Sequence, residues 1–198
     1  MEEWSGRSFR DRVLAVLPEA KGYPGAIDVP PGAALAAVLV PVLTAAHDIR
    51  VVFTRRTDTL SRHAGEISFP GGLADTDEEL AAAALREAEE ELGLPPADVE
   101  LVGSLPPVHT RVTGILIVPF VGLLHADPRY TPNAAEIDEI LEFRLLDLMA
   151  AASERDFEFE GRTFRSFVYD MDGQIIWGAT GRILNSFLEL LGPPPDPR

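Results

Sequence analysis

A helix predicted near the middle of the chain constrains the fold more than any other segment. Thr76, followed three residues later by Glu79, forms a capping-box pattern that predicts the start of a helix. An alanine-rich run follows and ends at Gly93, with Pro95 beyond it, which is the usual signature of a helix C-terminus. The sequence therefore predicts a helix over residues 77–92.

Negative charge collects on one side of this helix. At about 100° per residue, Glu87, Glu90 and Glu91 project from a single arc of about 100°. Like charges at such spacings destabilise a helix by roughly 0.2–0.5 kcal/mol per pair. A divalent cation would compensate for this repulsion, because Mg²⁺ and Mn²⁺ prefer oxygen ligands. The alternative interpretation is a solvated acidic helix face.

The spacing of residues around these carboxylates favours the metal site. Glycine, glutamate and arginine occupy fixed intervals at Gly72, Glu78, Arg86, Glu87, Glu90, Glu91 and Gly93. Seven fixed positions at about 7% each give a chance match on the order of 10⁻⁶. The pattern resembles the Nudix box, the signature of hydrolases that cleave a nucleoside diphosphate linked to another moiety. One mild departure is Ala88, where a larger aliphatic residue is usual.

The resemblance implies a fold, a cofactor and a set of metal ligands. The implied fold is α/β (α+β), an α/β/α sandwich with a mixed sheet and a loop–helix–loop catalytic motif. The implied cofactor is Mg²⁺ or Mn²⁺. Glu87 and Glu91 are predicted to be the primary metal ligands, and Glu90 a further ligand or the group that orients water. Such a metal neutralises a diphosphate and acidifies water for attack at phosphorus.

The remaining positions of the box have predicted structural roles. Arg86 and Glu78 are expected to pair and hold the loop against the helix, and Gly93 ends the motif. Gly71 and Gly72 would let the loop backbone approach substrate and metal closely, with a carbonyl group directed at the metal.

A second motif precedes the box. Thr54, Arg56, Gly65 and residues 69–72 resemble the motif of the coenzyme A pyrophosphatase branch of the Nudix family. Ser61 stands where that motif has arginine, with Arg62 beside it. The branch implies hydrolysis of coenzyme A (CoA), with acyl-CoA or oxidised CoA as further substrates, to 3′,5′-ADP and 4′-phosphopantetheine. Residues 176–180 also look like a segment common in this branch.

Basic residues cluster in this motif, although the chain has a formal net charge of −15. We predict that Arg55, Arg56 and Arg62 bind substrate, because CoA carries a 3′-phosphate besides its diphosphate. The alternative for these arginines is a solvated loop.

Three carboxylates are candidates for the general base. Glu87 and Glu90 of the helix are candidate catalytic residues, and Glu136 is a third candidate in an acidic loop that precedes a strand. A loop carboxylate that swings into the site would be able to deprotonate the attacking water. The alternative for Glu136 is a solvated acidic turn, and His109 is expected to be a surface or packed histidine.

Composition excludes several classes of protein. The chain has no cysteine, so neither a thiol nucleophile nor a thiolate metal site is available. The strong negative charge argues against nucleic acid as a partner, and a small anionic substrate is expected instead. The longest apolar stretch is too short and proline-interrupted to span a membrane. The start of the chain does not resemble a secretory signal, so we expect a cytoplasmic protein.

Three parts are expected along the chain. Residues 1–33 form an N-terminal helix and a Pro/Gly-rich loop as a peripheral element, residues 34–191 form one Nudix hydrolase domain, and residues 192–198 form a flexible tail. Apolar patterning predicts strands at residues 35–43, 49–54, 99–105, 115–123 and 140–145, a hairpin at 162–169 and 174–177, and a closing helix at 178–191.

Other functions remain open at this stage. A Nudix hydrolase of ADP-ribose or of dinucleotides has the same chemistry, and Ser61 in place of arginine is its main support. A Nudix-fold module that binds a nucleotide without cleaving it is a different class. Retention of all the box carboxylates speaks against that class. An acidic interaction protein without nucleotide chemistry is a third possibility.

Overall fold

A mixed β-sheet forms the centre of the molecule. The structure is a computed structural model and describes residues 5–17, 34–45, 48–58, 65–110, 114–159 and 161–193. The Pro/Gly-rich loop at 18–33, Ser61, Arg62 and the end of the tail lie outside these residues. The strands of this sheet are β1 Leu35–Leu43, β2 Arg50–Arg56, β3 Ile67–Ser68, β4 Gly71–Leu73, β5 Glu100–Ser104, β6 Val108–His109, β7 Leu116–Leu124 and β8 Ile137–Arg144.

Strand β1 lies at the centre of this sheet and is buried along almost its whole length. It pairs in parallel with β7 from end to end, and antiparallel with β2 and β4. Strand β8 extends the sheet by pairing antiparallel with β2. The pairing of β1 with β4 places the glycine-rich loop beside the first half of β1, which fixes the position of the site.

A second, antiparallel sheet follows in the chain. It consists of β9 Ala152–Phe159, β10 Arg162–Met171 and β11 Gln174–Ile176. The predicted hairpin is confirmed as β10 and β11, with a turn at Asp172 and Gly173, both at positive φ. Strand β9 and the short helix α3 (Leu145–Ala151) before it were not predicted. The charged residues of β9 obscure the apolar alternation on which strand prediction depends.

Helices cover both faces of the central sheet. Alternate residues of β1 enter opposite cores: Val40 packs with α1 (Gly6–Val16), α3 and α4 (Gly178–Leu191), and Leu39 packs against α2 (Leu80–Leu92). Ala88 of α2 is fully buried in the second core. The predicted α/β/α sandwich with a mixed sheet is therefore confirmed.

Helix α1 is attached more closely than a peripheral element would be. Phe9 and Val13 are fully buried in the same core as α4. Arg10 forms an ion pair with Glu100 of β5, and Arg12 Nε donates to the carbonyl of Leu191 at 2.8 Å. The second contact satisfies a carbonyl at the end of α4 that has no partner within its helix.

The predicted start of α2 is wrong, whereas its end is correct. The helix begins at Leu80, and Glu79 is an N-cap without a side-chain cap bond. Asp77 has a φ of 64°, so the chain turns at 76–77 before the helix starts. Gly93 ends the helix in the left-handed conformation, as predicted. In the part of the chain that the structure describes, no helix is long and apolar enough to cross a membrane.

Candidate active site

Glu91 is the most buried acidic group of the site. Its side chain is 6% exposed, and the backbone N–H of Gly71 donates to its Oε2 at 3.2 Å. Arg56 Nη1 lies 3.7 Å from its Oε1. Burial raises the pKa of Glu91 to about 7 against the opposing effects of Gly71 and Arg56, and the charges of Glu87 and Glu136 raise it further. Gly71 thus contacts Glu91 through its N–H, and the prediction that a carbonyl of this loop is directed at the metal stays a prediction.

Gly72 allows the carboxylate of Glu87 to lie against the loop. A Cβ atom at position 72 would be 2.6 Å from both Cδ and Oε1 of Glu87. Real Cβ atoms do not approach other atoms so closely, so any other residue would displace this carboxylate. Loop and helix are thus fitted to each other through a glycine.

Arg86 connects the loop to the acidic helix. Its guanidinium donates to Glu78 at 2.9 Å, to Glu87 at 2.8 Å, to Glu90 at 3.3 Å and to the carbonyl of Leu73 at 3.2 Å. The hydrogen bond from Arg86 also holds the pKa of Glu78 below its ordinary value. These contacts agree with the pairing expected for Arg86 and Glu78.

The carboxylates fit a divalent cation. Among residues 5–17, 34–45, 48–58, 65–110, 114–159 and 161–193, no three acidic or histidine side chains already form a preassembled metal cluster. However, the carboxylate of Glu91 is buried, and Arg56 Nη1 lies 3.7 Å from its Oε1. The negative charges of Glu87 and Glu136 also act on this carboxylate. An oxygen-only donor set with excess negative charge suits Mg²⁺ or Mn²⁺. Glu87 and Glu91 would hold such an ion, with Glu90 as the more exposed third carboxylate.

The structure also brings Glu136 to this site. Its backbone carbonyl accepts from the N–H of Thr57 at 2.9 Å, which fixes the loop to the end of β2. Asn133 Nδ2 donates to its Oε1 at 3.3 Å. The backbone N–H of Asn133 donates to the carbonyl of Glu91 at 3.0 Å, which holds the loop of Glu136 beside the acidic helix.

The predicted basic cluster divides into two environments. Arg56 turns toward Glu91. Arg55 pairs instead with Asp138 at 3.0 Å and Glu139 at 2.7 Å on β8. His109 accepts a hydrogen bond from Arg182 through its backbone carbonyl, and its side chain is exposed.

A cavity of about 530 Å³ begins beside the acidic helix and continues between the two sheets. The residues that line it include Arg56, Gly71 and Gly72 of the acidic site and the aromatic residues Phe164, Phe167 and Trp177. None of these three aromatic residues was predicted to belong to the site. The resemblance of residues 176–180 was a signal for Trp177 alone, because the cavity arises from packing between distant segments.

Comparison with known proteins decides the family. Residues 34–167 match the NUDIX domain. The chain is also 39% identical to the uncharacterized Nudix hydrolase NudL of Pectobacterium atrosepticum over 154 residues, which cover 76% of this chain and 79% of that protein. A NudL from Klebsiella pneumoniae is 36% identical over 163 residues, 81% of this chain and 84% of that protein. This chain belongs to the Nudix family.

Solved structures show the same Nudix fold. A MutT/nudix family protein from Enterococcus faecalis superposes with a TM-score of 0.53, at 15% identity over 84% of this chain and 64% of that one. A C. elegans Ap4A hydrolase gives a TM-score of 0.50, at 18% identity over 58% of this chain and 83% of that one. Nudix hydrolases act on phosphoric anhydrides and generally use divalent ions such as Mg²⁺ or Mn²⁺, so membership supports pyrophosphohydrolase activity.

A thermal-shift experiment tests the metal ligands of this Nudix site. We expect saturating Mg²⁺ or Mn²⁺ to raise the Tm of the wild type by about 5–10 °C, because binding at a hundred times Kd stabilises the folded state by about 2.7 kcal/mol. Glu87→Gln should lose most of this shift. Glu89→Gln, an exposed charge on the same helix, is the control and should retain the shift. Equal shifts in all three proteins would place the metal elsewhere.

Proposed function

We propose that this Nudix protein hydrolyses the diphosphate of CoA, and of acylated or oxidised CoA, to 3′,5′-ADP and 4′-phosphopantetheine, with Mg²⁺ or Mn²⁺ as cofactor. One observation carries the proposal. Arg56, from the motif that resembles the CoA pyrophosphatase branch, lies 3.7 Å from Glu91 of the Nudix box. The basic motif and the acidic helix therefore meet at the cavity that Arg56 lines.

The residues of this chain have distinct parts in the proposed reaction. Glu87 and Glu91 would hold the cation, with Glu90 as a further ligand, and the cation would neutralise the diphosphate and acidify water. Gly71 fixes the orientation of Glu91 by its N–H, and Arg56 binds a phosphate oxygen of the substrate.

Proton removal is assigned to a carboxylate outside the helix. Glu136 accepts a proton from the attacking water, because its loop brings a carboxylate to the site without making it a box ligand. Glu90 is the alternative base, since its side chain is 59% exposed and can reach water. Attack of water at phosphorus then forms one P–O bond and breaks the bridging P–O bond, so that 3′,5′-ADP and 4′-phosphopantetheine each leave with one phosphate of the former diphosphate.

The direct test is product release. Purified protein with Mg²⁺ or Mn²⁺ is expected to release 3′,5′-ADP from CoA faster than it cleaves ADP-ribose or a diadenosine polyphosphate. Efficient cleavage of ADP-ribose with CoA left intact under the same conditions would overturn the CoA assignment. No cleavage of any of these substrates would favour the non-catalytic binding module.

Arg56→Ala tests whether this arginine recognises the phosphates of CoA. We expect KM to rise about tenfold more for CoA than for 3′-dephospho-CoA, because a charge-assisted contact to the 3′-phosphate contributes roughly 1.5–3 kcal/mol. Arg55→Ala is the matched control, since Arg55 pairs with Asp138 and Glu139, and should leave the ratio unchanged. An equal rise for both substrates would assign Arg56 to the diphosphate alone.

ADP-ribose or a dinucleotide is the second candidate substrate. Ser61 favours it, because the CoA motif has arginine at this position. A loss of one phosphate contact weakens the case for a substrate with an additional 3′-phosphate. The product-release experiment separates the two candidates.

A further inference from the structure

The cavity carries an aromatic wall that the proposed chemistry does not use. Trp177 stacks on Phe157 with ring centroids 5.6 Å apart, and Phe157 stacks on Phe164 at 5.8 Å. Phe164, Phe167 and Trp177 line the cavity. With interplanar angles of 18° and 20°, the three rings are nearly parallel and form one stack.

Exposed apolar side chains concentrate at the same cavity. Among the large apolar side chains of the described residues, three are exposed: Leu14, Leu73 and Trp177. Leu73, at 54% exposure, and Trp177, at 41%, both line the cavity. Large apolar groups left in water beside a cavity of ligand size indicate a binding surface for an apolar group.

The charges near the aromatic wall are already engaged. Arg165 pairs with Asp156 at 2.9 Å and with Glu154 at 3.6 Å. Arg182 donates to the carbonyl of His109 at 2.8 Å. The aromatic wall therefore suits an apolar group better than a phosphate, whereas Arg56 suits the phosphates of CoA. A ligand that spans the cavity needs an anionic part and an apolar part.

We infer that Trp177 is a specificity-determining residue that binds the acyl group on the thiol end of CoA, so that thioester-acylated CoA is the preferred substrate. This inference rests on the proposed function, since it requires the phosphates of CoA beside Arg56. Trp177 lies beyond residues 34–167 that match the NUDIX domain. The C-terminal segment thus supplies a selectivity that the shared domain does not contain.

An acyl-chain series tests the inference by activity. In the wild type, kcat/KM is expected to rise about fourfold per methylene from acetyl-CoA to butyryl-CoA, which corresponds to ~0.8 kcal/mol for each buried methylene. Trp177→Ala should reduce this increase to less than about twofold per methylene, and Trp177→Phe should restore most of it. Leu14→Ala, which removes an equally exposed apolar residue from α1, is the matched control.

Fluorescence provides a readout that does not depend on turnover. The chain has two tryptophans, so Trp4→Phe leaves Trp177 as the reporter. Without added metal, S-butyryl-4′-phosphopantetheine should change the emission of this variant at a concentration at least tenfold lower than 4′-phosphopantetheine does. The inference would be overturned if both ligands changed the emission at equal concentrations, or if kcat/KM did not rise along the acyl series in an enzyme that cleaves CoA. Either result would leave the proposed function intact. Cleavage of ADP-ribose but of no CoA species would overturn the proposed function itself.

Discussion

Glu91→Gln is expected to lower kcat/KM by about 10²–10⁴ at saturating Mg²⁺, a loss of roughly 3–5 kcal/mol of transition-state stabilisation. The amide oxygen of glutamine can still accept the N–H of Gly71, so the loop should keep its position. The substitution removes the buried negative charge that we propose to hold the cation. Glu89→Gln provides the matched control, and near-normal turnover of the Glu91 variant would reject this assignment.

The same substitution should stabilise the metal-free protein at high pH. Burial raises the pKa of Glu91 from 4.5 to about 7, so the folded state binds this proton more tightly than the unfolded chain does. The free energy of unfolding therefore falls as the pH rises from 4.5 and levels off above 7, by roughly 3 kcal/mol in all. In Glu91→Gln, the free energy of unfolding should not show this decrease.

Two pH values make the contrast measurable. At pH 8 without metal, the Tm of Glu91→Gln should exceed that of the wild type by about 5–10 °C. At pH 4.5 the difference should be much smaller, because the wild-type carboxyl is then largely protonated in the folded state. A variant that is less stable than the wild type at pH 8 would show that the charge of Glu91 is already well compensated by Arg56.

The sequence predicts features that depend on local patterns. The end of α2 at Gly93, the central strand β1 and the helix α4 follow from turn chemistry and from apolar periodicity. The start of α2 does not follow from its local pattern. Glu78, expected to lie within the first turn, instead pairs with Arg86 from the middle of the helix and accepts from Asp75 at 2.9 Å. These contacts compete with capping and favour a turn before Leu80.

The separation of Arg55 and Arg56 shows a second limit of prediction from local sequence patterns. The predicted strand ended at Thr54, whereas β2 continues to Arg56 with an irregularity between Arg55 and Arg56. Successive side chains of a strand point to opposite faces, so one arginine reaches β8 and the other reaches Glu91. The aromatic wall with Trp177 required tertiary packing of β10 and α4, which no local pattern reveals.

Gly72→Ala tests whether the contact between loop and helix positions a metal ligand. Position 72 has no left-handed φ, so alanine is compatible with the backbone, and the clash of its Cβ with the carboxylate of Glu87 at 2.6 Å is the main effect. Glu87 must then move by about 1 Å or more. We expect kcat/KM to fall about 10²-fold, because a displacement of this size costs about that much in a preorganised site.

A double-mutant cycle separates this effect from general disruption of the loop. In a Glu87→Ala background the clashing atoms are absent, so adding Gly72→Ala should change kcat/KM by less than about twofold. The coupling between the two substitutions would then approach the whole effect of Gly72→Ala, about 2.7 kcal/mol for a 10²-fold loss. If Gly72→Ala instead lowers activity equally in both backgrounds, the glycine acts on the loop or the substrate, and its contact with Glu87 has no part in catalysis.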